Sequence, residues 1–589
     1  MNNIVKAAFL ILLLLAASVI AQPARIIIDE NFEDWSTVQP IYQDAIGDQL
    51  SGSLDFSDIY ILNDEDYLFL NIKVGAEINL QSNNSITLYI DTDENISTGL
   101  LVEGIGAELE YTFGSRRGTV RLNGITKNIR HEDIGVIAAP TVTSNTFELS
   151  LNRNTDIPGL GILFSSPVIK VVLKDNGSGR DKLPDESGGI EYNFNSIMPE
   201  YSHSYSVKKS DGDLRVMTYN VEFDGLFDPS NIPHFTRIFK AAEPDIIIFE
   251  EIYNKSSQQT ADLIETMIPS NDGEHWFNSK QGNDIIVVSK FPVTASSAID
   301  GNGAFLLDLT SRYDSELLVV GAHPPCCDND FQRQQEIDSI MAFVRNSKNG
   351  IGEIPITEGT PILIAGDMNL VGLARQLNTF ITGDIFNESQ YGPDFNPDWD
   401  GGNFEDAKPK VTNSPHVFTW YDEGNFGPGR LDFIFYSGSV MELTNSYTMF
   451  TNSMDEDTLT AYNLNKFDAT SASDHLPVVA DFTFPGITSA SINTIIPNEF
   501  RLMQNYPNPF NPKTTIEFSL PNSKKGDSFL TKMNVYDILG NEVAQLINQS
   551  LSPGNHKINF NIKNLSTGIY IYQLLYDDYS ASKKMIVLK

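Results

Sequence analysis

Pro361-Ile362-Leu363-Ile364-Ala365-Gly366-Asp367-Met368-Asn369 is a short apolar run that stops on an acid and an amide. Its length and branched residues read as a strand buried on both faces. The pattern recurs around it. Asp245-Ile246-Ile247-Ile248-Phe249-Glu250-Glu251 ends on two acids, 214–219 ends on Asn220, and 317–322 ends on His323. Asp432 opens Phe433-Ile434-Phe435, and Asp474-His475 open the run 476–480. Between such runs, Ile337, Ile340, Met341 and Val344 recur at i, i+3, i+4 and i+7, one face of a helix. Strands interleaved with helices predict an α/β layered domain over 213–484. Strand ends on one rim converge, so these polar groups are expected to share a pocket.

An Asp or Asn at one strand end is ordinarily a cap or a turn. Repeated at many ends of one domain, such residues point to a site. Carboxylate and amide oxygens suit a hard cation such as Mg²⁺ or Mn²⁺, which takes one or two carboxylates plus phosphate oxygens. A phosphodiester is anionic and resists attack by water; a divalent cation offsets that charge and stabilises the leaving alkoxide. An Asp can position or deprotonate the water, a protonated His can stabilise charge on the phosphoryl oxygens, and a second acid beside that His would orient it.

The chain around this domain has 589 residues, room for several cores. Apolar residues are 41% and aromatics 10%, which excludes a chain disordered throughout. With 40 Lys+Arg against 77 Asp+Glu the formal charge is −37, which argues against a general polyanion binder. Two cysteines exclude a disulfide scaffold and a Cys-rich zinc site. Lys6, an apolar run over 7–19 and small residues at 19–21 predict a signal peptide over 1–21, the run being too short to span a bilayer comfortably. No later stretch is apolar enough to span one, so a mature protein without a transmembrane segment is expected.

Residues 23–205 read as an antiparallel β-sandwich. Leu68, Leu70, Ile72 and Val74 alternate with Tyr67, Phe69, Asn71 and Lys73. Within it, Asp91-Thr92-Asp93-Glu94-Asn95 spaces side-chain oxygens so that Asp91, Asp93 and Asn95 could wrap Ca²⁺. Ile96 and Val102 occupy the Gly and Glu positions of an EF-hand loop, so it is not one, and an acidic hairpin turn is the plainer reading. After a linker over 485–495, residues 496–589 read as short strands at 514–520, 532–536 and 569–575, with a turn at Pro553-Gly554-Asn555, a small β-sandwich of the immunoglobulin kind.

The central blocks Met217-Thr218-Tyr219-Asn220-Val221, Asp245 to Glu251, Gly366-Asp367-Met368-Asn369, Arg430-Leu431-Asp432-Phe433-Ile434-Phe435 and Ser473-Asp474-His475-Leu476-Pro477 stand in the order of the endonuclease/exonuclease/phosphatase superfamily, which the segment resembles. The resemblance implies a four-layer α/β sandwich and a metal-dependent phosphoesterase. It makes Glu251 the principal metal ligand with Asn220 beside it, and Asp474 part of the metal or phosphate shell. It gives Asp367 the water, Asn369 the phosphate, and His475 the transition state, oriented by Asp432. His323 looks like the additional histidine of the deoxyribonuclease and sphingomyelinase branches, and Glu222 sits where some members carry an acid. Glu250 stands where the family usually has Gln, and Lys290 where it has Arg.

The N-terminal segment faintly resembles family 9 carbohydrate-binding and DOMON-like sandwiches, through Asp58-Ile59-Tyr60, Asp91-Thr92-Asp93 and Gly104-Ile105-Gly106-Ala107-Glu108, which implies a carbohydrate or other ligand as partner. The C-terminal segment resembles the sorting domain of type IX secretion, through Gln504-Asn505-Tyr506-Pro507-Asn508-Pro509-Phe510-Asn511-Pro512, Val535-Tyr536-Asp537-Ile538-Leu539-Gly540, Gly568-Ile569-Tyr570 and Lys583-Lys584-Met585. That implies the secretion machinery as partner and a secreted or surface-attached protein.

The substrate stays open at this level. A nuclease-like phosphodiesterase acting on nucleic acid or nucleotides leads. A phosphatase or phospholipid-head-group hydrolase, and a non-enzymatic surface binding protein, are the alternatives. The domain's acidity weakens a grip on duplex DNA, leaving Arg333, Arg375, Lys408, Lys410 and Arg430 as candidate contacts. Cys326-Cys327 could form a strained vicinal disulfide or remain thiols.

Overall fold

A computed structural model describes residues 25–196, 205–270, 275–422, 424–484, 500–505, 508–521, 529–551, 554–562, 565–577 and 579–588. The expected signal peptide, the linker and Pro553 of the expected turn lie outside the described residues. The chain divides into two compact units, 1–485 and 486–589.

The first unit opens with a β-sandwich. One sheet of five strands includes Asp58–Asn63, Tyr67–Ile78 and Ser144–Asn152; the facing sheet of seven includes Ile86–Asp91, Leu109–Thr112 and Val168–Asp175. Leu68, Leu70, Ile72 and Val74 point into the core between them, together with Leu88, Ile90 and Val171. The expected alternation in the Tyr67–Ile78 strand fails at Phe69 and Asn71, which are also buried. Ile26, Ile28 and Trp35 from the segment before the sandwich pack on Phe69, so the second face of that sheet is covered as well.

The central domain has four layers. One mixed sheet of seven strands holds Leu214–Asn220, Ile246–Glu250, Ile285–Ser289 and Val478–Thr483; a second of six holds Asn302–Asp308, Glu316–Gly321, Ile362–Asp367 and Asp432–Tyr436. Val216, Ile248, Val478 and Phe482 meet Phe305, Val319 and Leu363 in the layer between the sheets. Helices Ile232–Ala242 and Ser257–Met267 cover the outside of the first sheet, and Asp330–Lys348 and Ala374–Thr382 the outside of the second. Ile337, Ile340, Met341 and Val344 are buried as their spacing predicts. In the long helix the apolar positions form one face, because only one face meets a sheet.

The second unit is a β-sandwich of a three-stranded and a four-stranded sheet around Ile516, Phe518, Val535, Tyr572 and Met585. The expected strands appear as Lys513–Leu520, Phe529–Asp537 and Gly568–Tyr576. Among the described residues no helix is long and apolar enough to cross a membrane.

Candidate active site

The two central sheets put their polar strand ends on one rim. Asp367 and Asp432 are direct cross-strand partners on the antiparallel pair Ile362–Asp367 and Asp432–Tyr436. Asn220 and Glu250 are partners on the parallel pair of the other sheet. Glu251, one residue past its strand, and Asn369 both adopt left-handed backbone, which turns the chain sharply back towards the rim.

Asn220 is the hub. Its Nδ2 donates to Glu251 Oε1 at 3.1 Å and to Asp367 Oδ2 at 3.1 Å. Its Oδ1 accepts the Glu222 N–H at 3.0 Å. Glu251 Oε2 accepts the N–H of Phe223 at 2.9 Å. Asp367 Oδ1 accepts the Asn369 N–H at 3.0 Å, and Oδ2 accepts Asn369 Nδ2 at 3.2 Å. The Asn369 amide also donates to the carbonyl of Pro324 at 3.0 Å.

Two imidazoles flank Asp367. Nε2 of His323 and Nε2 of His475 each lie 3.5 Å from Asp367 Oδ2. His475 Nδ1 is 2.8 Å from Asp432 Oδ2, and His323 Nδ1 is 2.6 Å from Asp284 Oδ2. Burial pulls both rings down, but the carboxylates win. Asp432 and then Asp367 push His475 up to about 10, and Asp284 with Asp367 pushes His323 up to about 9. Both shifts favour the protonated ring, and each Nε2 faces Asp367 Oδ2 across 3.5 Å. Asp367 itself is raised by burial, an effect the two imidazoliums partly offset.

Sequence reasoning missed the residues that hold these groups. Asp284 accepts both His323 Nδ1 and the Glu251 N–H, the latter at 3.0 Å, tying His323 to Glu251. Thr419 Oγ1 donates to Asp432 Oδ2 at 2.7 Å, and Trp420 Nε1 donates to Asp474 Oδ2 at 3.1 Å. Asp284 follows Gly282-Asn283 and reads as a turn, while Thr419 and Trp420 lie in a stretch with no strand period. At the mouth, Phe223 and Tyr253 are exposed with ring centroids 6.0 Å apart, flanking Glu251.

Glu222 is largely exposed, and its carboxyl is raised by partial desolvation and then by the charges of Asp474 and Glu251. Glu250 is fully buried, accepts Thr218 Oγ1 at 2.9 Å, and leaves Oε2 without a partner. Burial, then the charge of Asp432, holds its carboxyl well above the usual range.

The candidate substrate contacts need correcting. Arg333 is buried, bound to the carbonyls of Pro325 and Cys327 and to Asp330. Arg430 is buried between Asp406 and Glu30. Lys408 donates to the carbonyl of Asp29 at 3.2 Å, and the Arg375 guanidinium sits 3.8 Å from the centre of the Phe386 ring. Arg333 and Arg430 hold the fold, because a buried guanidinium must be paired where it lies, whereas Arg375 is exposed. Cys326 and Cys327 are free thiols, both exposed.

Glu251, Asn220 and Asp474 each carry a side-chain oxygen, and Glu251 and Asp367 lie equally close to the Asn220 amide nitrogen, at 3.1 Å. By donor type, oxygens of this kind are those a hard divalent cation takes, along with phosphate oxygens and water. Among the described residues, the groups of three carboxylates whose oxygens lie within 4.8 Å of one another are elsewhere, in the N-terminal sandwich.

Residues 217–475 match the model of the Endonuclease/Exonuclease/phosphatase family, and residues 504–588 match the Secretion system C-terminal sorting domain. The central domain is therefore of the endonuclease/exonuclease/phosphatase class, a hydrolase of phosphoester bonds, and the last domain is a type IX-like sorting domain of a secreted or surface-attached protein. Solved structures that resemble the chain include an endonuclease/exonuclease/phosphatase from Beutenbergia cavernae, at 11% identity and TM-score 0.31, covering 63% of this chain and 100% of that one. ANGEL2, a 2′,3′-cyclic phosphatase, is similar at 13% identity and TM-score 0.30, covering 46% and 95%. Sphingomyelinase C from Streptomyces griseocarneus is similar at 16% identity and TM-score 0.28, covering 46% and 99%. No curated protein matches the chain.

Proposed function

We propose that the protein is an exported, Mg²⁺- or Mn²⁺-dependent phosphodiesterase of nuclease-like chemistry. The observation that carries this is the convergence of His475 and His323 on one carboxylate, Asp367, each imidazole backed by its own acid. Asp367 holds the attacking water and takes its proton. His475, kept charged by Asp432, donates hydrogen bonds to the phosphoryl oxygens as they gain charge. His323 supplies a second positive donor on the other side of Asp367. Asn369 orients the phosphate. A cation held by Glu251, Asn220 and Asp474 would supply Lewis acidity toward the phosphate and leaving oxygen.

The exposed Phe223–Tyr253 pair beside Glu251 favours a substrate with a planar ring, because aromatic faces stack on bases. A lipid chain is the rival occupant of that apolar rim. DNA, RNA, bis-p-nitrophenyl phosphate and sphingomyelin, each assayed with Mg²⁺ or with EDTA, test the reading. Nucleic-acid cleavage that stops with EDTA and with His475→Ala supports it; preference for sphingomyelin moves the substrate to a head group. Activity untouched by both treatments rules out the mechanism.

A further inference from the structure

We propose that Asp91, Asp93 and Glu108 form a calcium site in the N-terminal sandwich. One carboxylate oxygen from each lies within 4.8 Å of the others. Asp91 ends the strand Ile86–Asp91, Asp93 lies in the loop that follows, and Glu108 lies between the strands Ile105–Ala107 and Leu109–Thr112. The loop folds over so that acids distant in sequence meet.

Glu108 makes this more than an acidic cluster. It is 1% exposed, and its Oε1 has no hydrogen-bond partner. Its Oε2 accepts the Thr92 N–H at 2.8 Å, which fixes the carboxylate in place. None of the three acids forms an ion pair with a described Lys, Arg or His, unlike neighbouring Glu103 and Glu110, which pair with lysines and an arginine. Three carboxylates gathered without a basic partner, two of them buried, repel one another until a cation joins them or one takes up a proton.

The backbone is shaped around the same point. Gly99 has φ +66°, and a Cβ there would lie 2.7 Å from Glu108 Oε1 and 2.4 Å from the Ala107 carbonyl oxygen. A Cβ on Gly106 would meet the carbonyl oxygens of Thr98 and Asn95 at 2.4 and 2.6 Å. The loop is thus pressed onto the strand with only hydrogens between. Asn95 contributes differently from the sequence expectation: its Oδ1 accepts the Ser97 N–H at 3.1 Å, and Glu108 is the third acid.

Calcium is the fitting ion. It accepts irregular sets of carboxylates, carbonyls and water, whereas Mg²⁺ demands near-ideal octahedral geometry. A protein carried outside the cell by its sorting domain meets calcium at concentrations that fill even weak extracellular sites. The site shares no residue with the catalytic centre.

The test uses the full chain, freed of metal and returned to excess Mg²⁺. Equilibrium dialysis with radioactive calcium counts ions per chain, and melting with and without CaCl₂ reads the stabilisation. The expected result is saturable binding and a higher melting temperature. Glu108→Gln is expected to lose one ion per chain and the part of the shift that goes with it. The separate acidic group of Asp44, Asp48, Asp55, Asp181 and Asp185 is intact in that variant, so the difference from the native chain reports this site alone. Should Glu108→Gln not fold, Asp93→Asn, altered at a partly exposed position, makes the same comparison. No calcium binding by the native chain, or the same count and shift in the variant as in the native chain, overturns the proposal.

Discussion

Ser150 Oγ of the N-terminal sandwich lies 2.7 Å from Nε2 of His416 in the central domain, and both side chains are buried. Nδ1 of the same ring is 2.5 Å from Ser414 Oγ. The contact belongs to a broader seam. Ile28 N–H donates to the Pro415 carbonyl at 2.8 Å, Thr143 N–H to the Gly372 carbonyl at 2.7 Å, and Asn79 Nδ2 to the Val371 carbonyl at 2.8 Å. The two loops held this way are the ones that run into Thr419 and Trp420, and out of Asp367 and Asn369. The sandwich therefore buttresses the second layer of the catalytic centre, whatever else it binds.

Breaking that contact should loosen both domains together. Ser150→Ala leaves a buried imidazole nitrogen without a partner, which costs about 1–3 kcal/mol. Urea unfolding is expected to show a lower midpoint with an unchanged slope, in one transition covering both domains. A midpoint equal to that of the native chain would count against the seam as a shared element.

His416 makes the stability of this unit pH-dependent in a known direction. Burial holds the ring at about 3, below its ordinary value of 6.5, so the folded chain keeps it neutral. Below 6.5 the unfolded chain binds a proton that the folded chain refuses. The stability tied to this residue is thus complete above 6.5 and falls as the pH drops towards 3, by about 1.4 kcal/mol for each pH unit well inside that window. His416→Gln lacks this term. The stability difference between native and variant should shift in the variant's favour between pH 7.5 and pH 5, measured by urea melts at both; a constant difference would contradict the assignment.

Legibility in the sequence followed the range of the interaction. The strand ends carrying Asn220, Glu251, His323, Asp367, Asp432 and His475 were readable because each is a local event, an apolar run stopped by a polar residue. So was the buried face of the helix Asp330–Lys348. What escaped depends on packing across domains. Phe69 and Asn71 sit on a strand face that alternation assigns to solvent, yet the segment around Ile28 covers it. Arg430 looks like a phosphate contact until Glu30, four hundred positions earlier, is found beside it. Asp284 and Thr419 act through partners that no spacing announces.

The acid behind His475 should separate orientation from contact. His475→Ala removes the donor itself and is expected to lower kcat by about 10²–10⁴-fold. Asp432→Asn keeps the ring but weakens its charge and its aim, for a loss of about 10–100-fold with little change in KM. Because both act through one ring, the double variant should be barely slower than His475→Ala alone. Additive losses in steady-state kinetics would mean that Asp432 works by another route.

Metal removal should silence the centre without unfolding it, since Glu251 is already held by Asn220, Phe223 N–H and Asp284 through its own N–H. EDTA is expected to abolish turnover while circular dichroism stays unchanged, and added Mg²⁺ or Mn²⁺ to restore it. Glu251→Gln, which removes the charge the ligand offers with little change of shape, should raise the metal concentration needed for half-maximal activity. Full activity of that variant at native metal levels would place the cation on other residues.

The sorting domain supplies a cleaner separation. It is a compact unit with its own two-sheet core around Ile516, Phe518, Val535 and Met585, distinct from the unit that ends at 485. Every residue assigned to the catalytic constellation lies in that first unit. Deleting 496–589 is therefore expected to leave kcat and KM of the purified remainder unchanged, and to stop delivery to the surface or medium, with the truncated protein recovered from the periplasm. Fractionation of cells expressing the two forms reads the second outcome, and kinetics the first. Export equal to that of the whole chain would remove the address from this domain, while lost turnover in a folded remainder would show that catalysis depends on it after all.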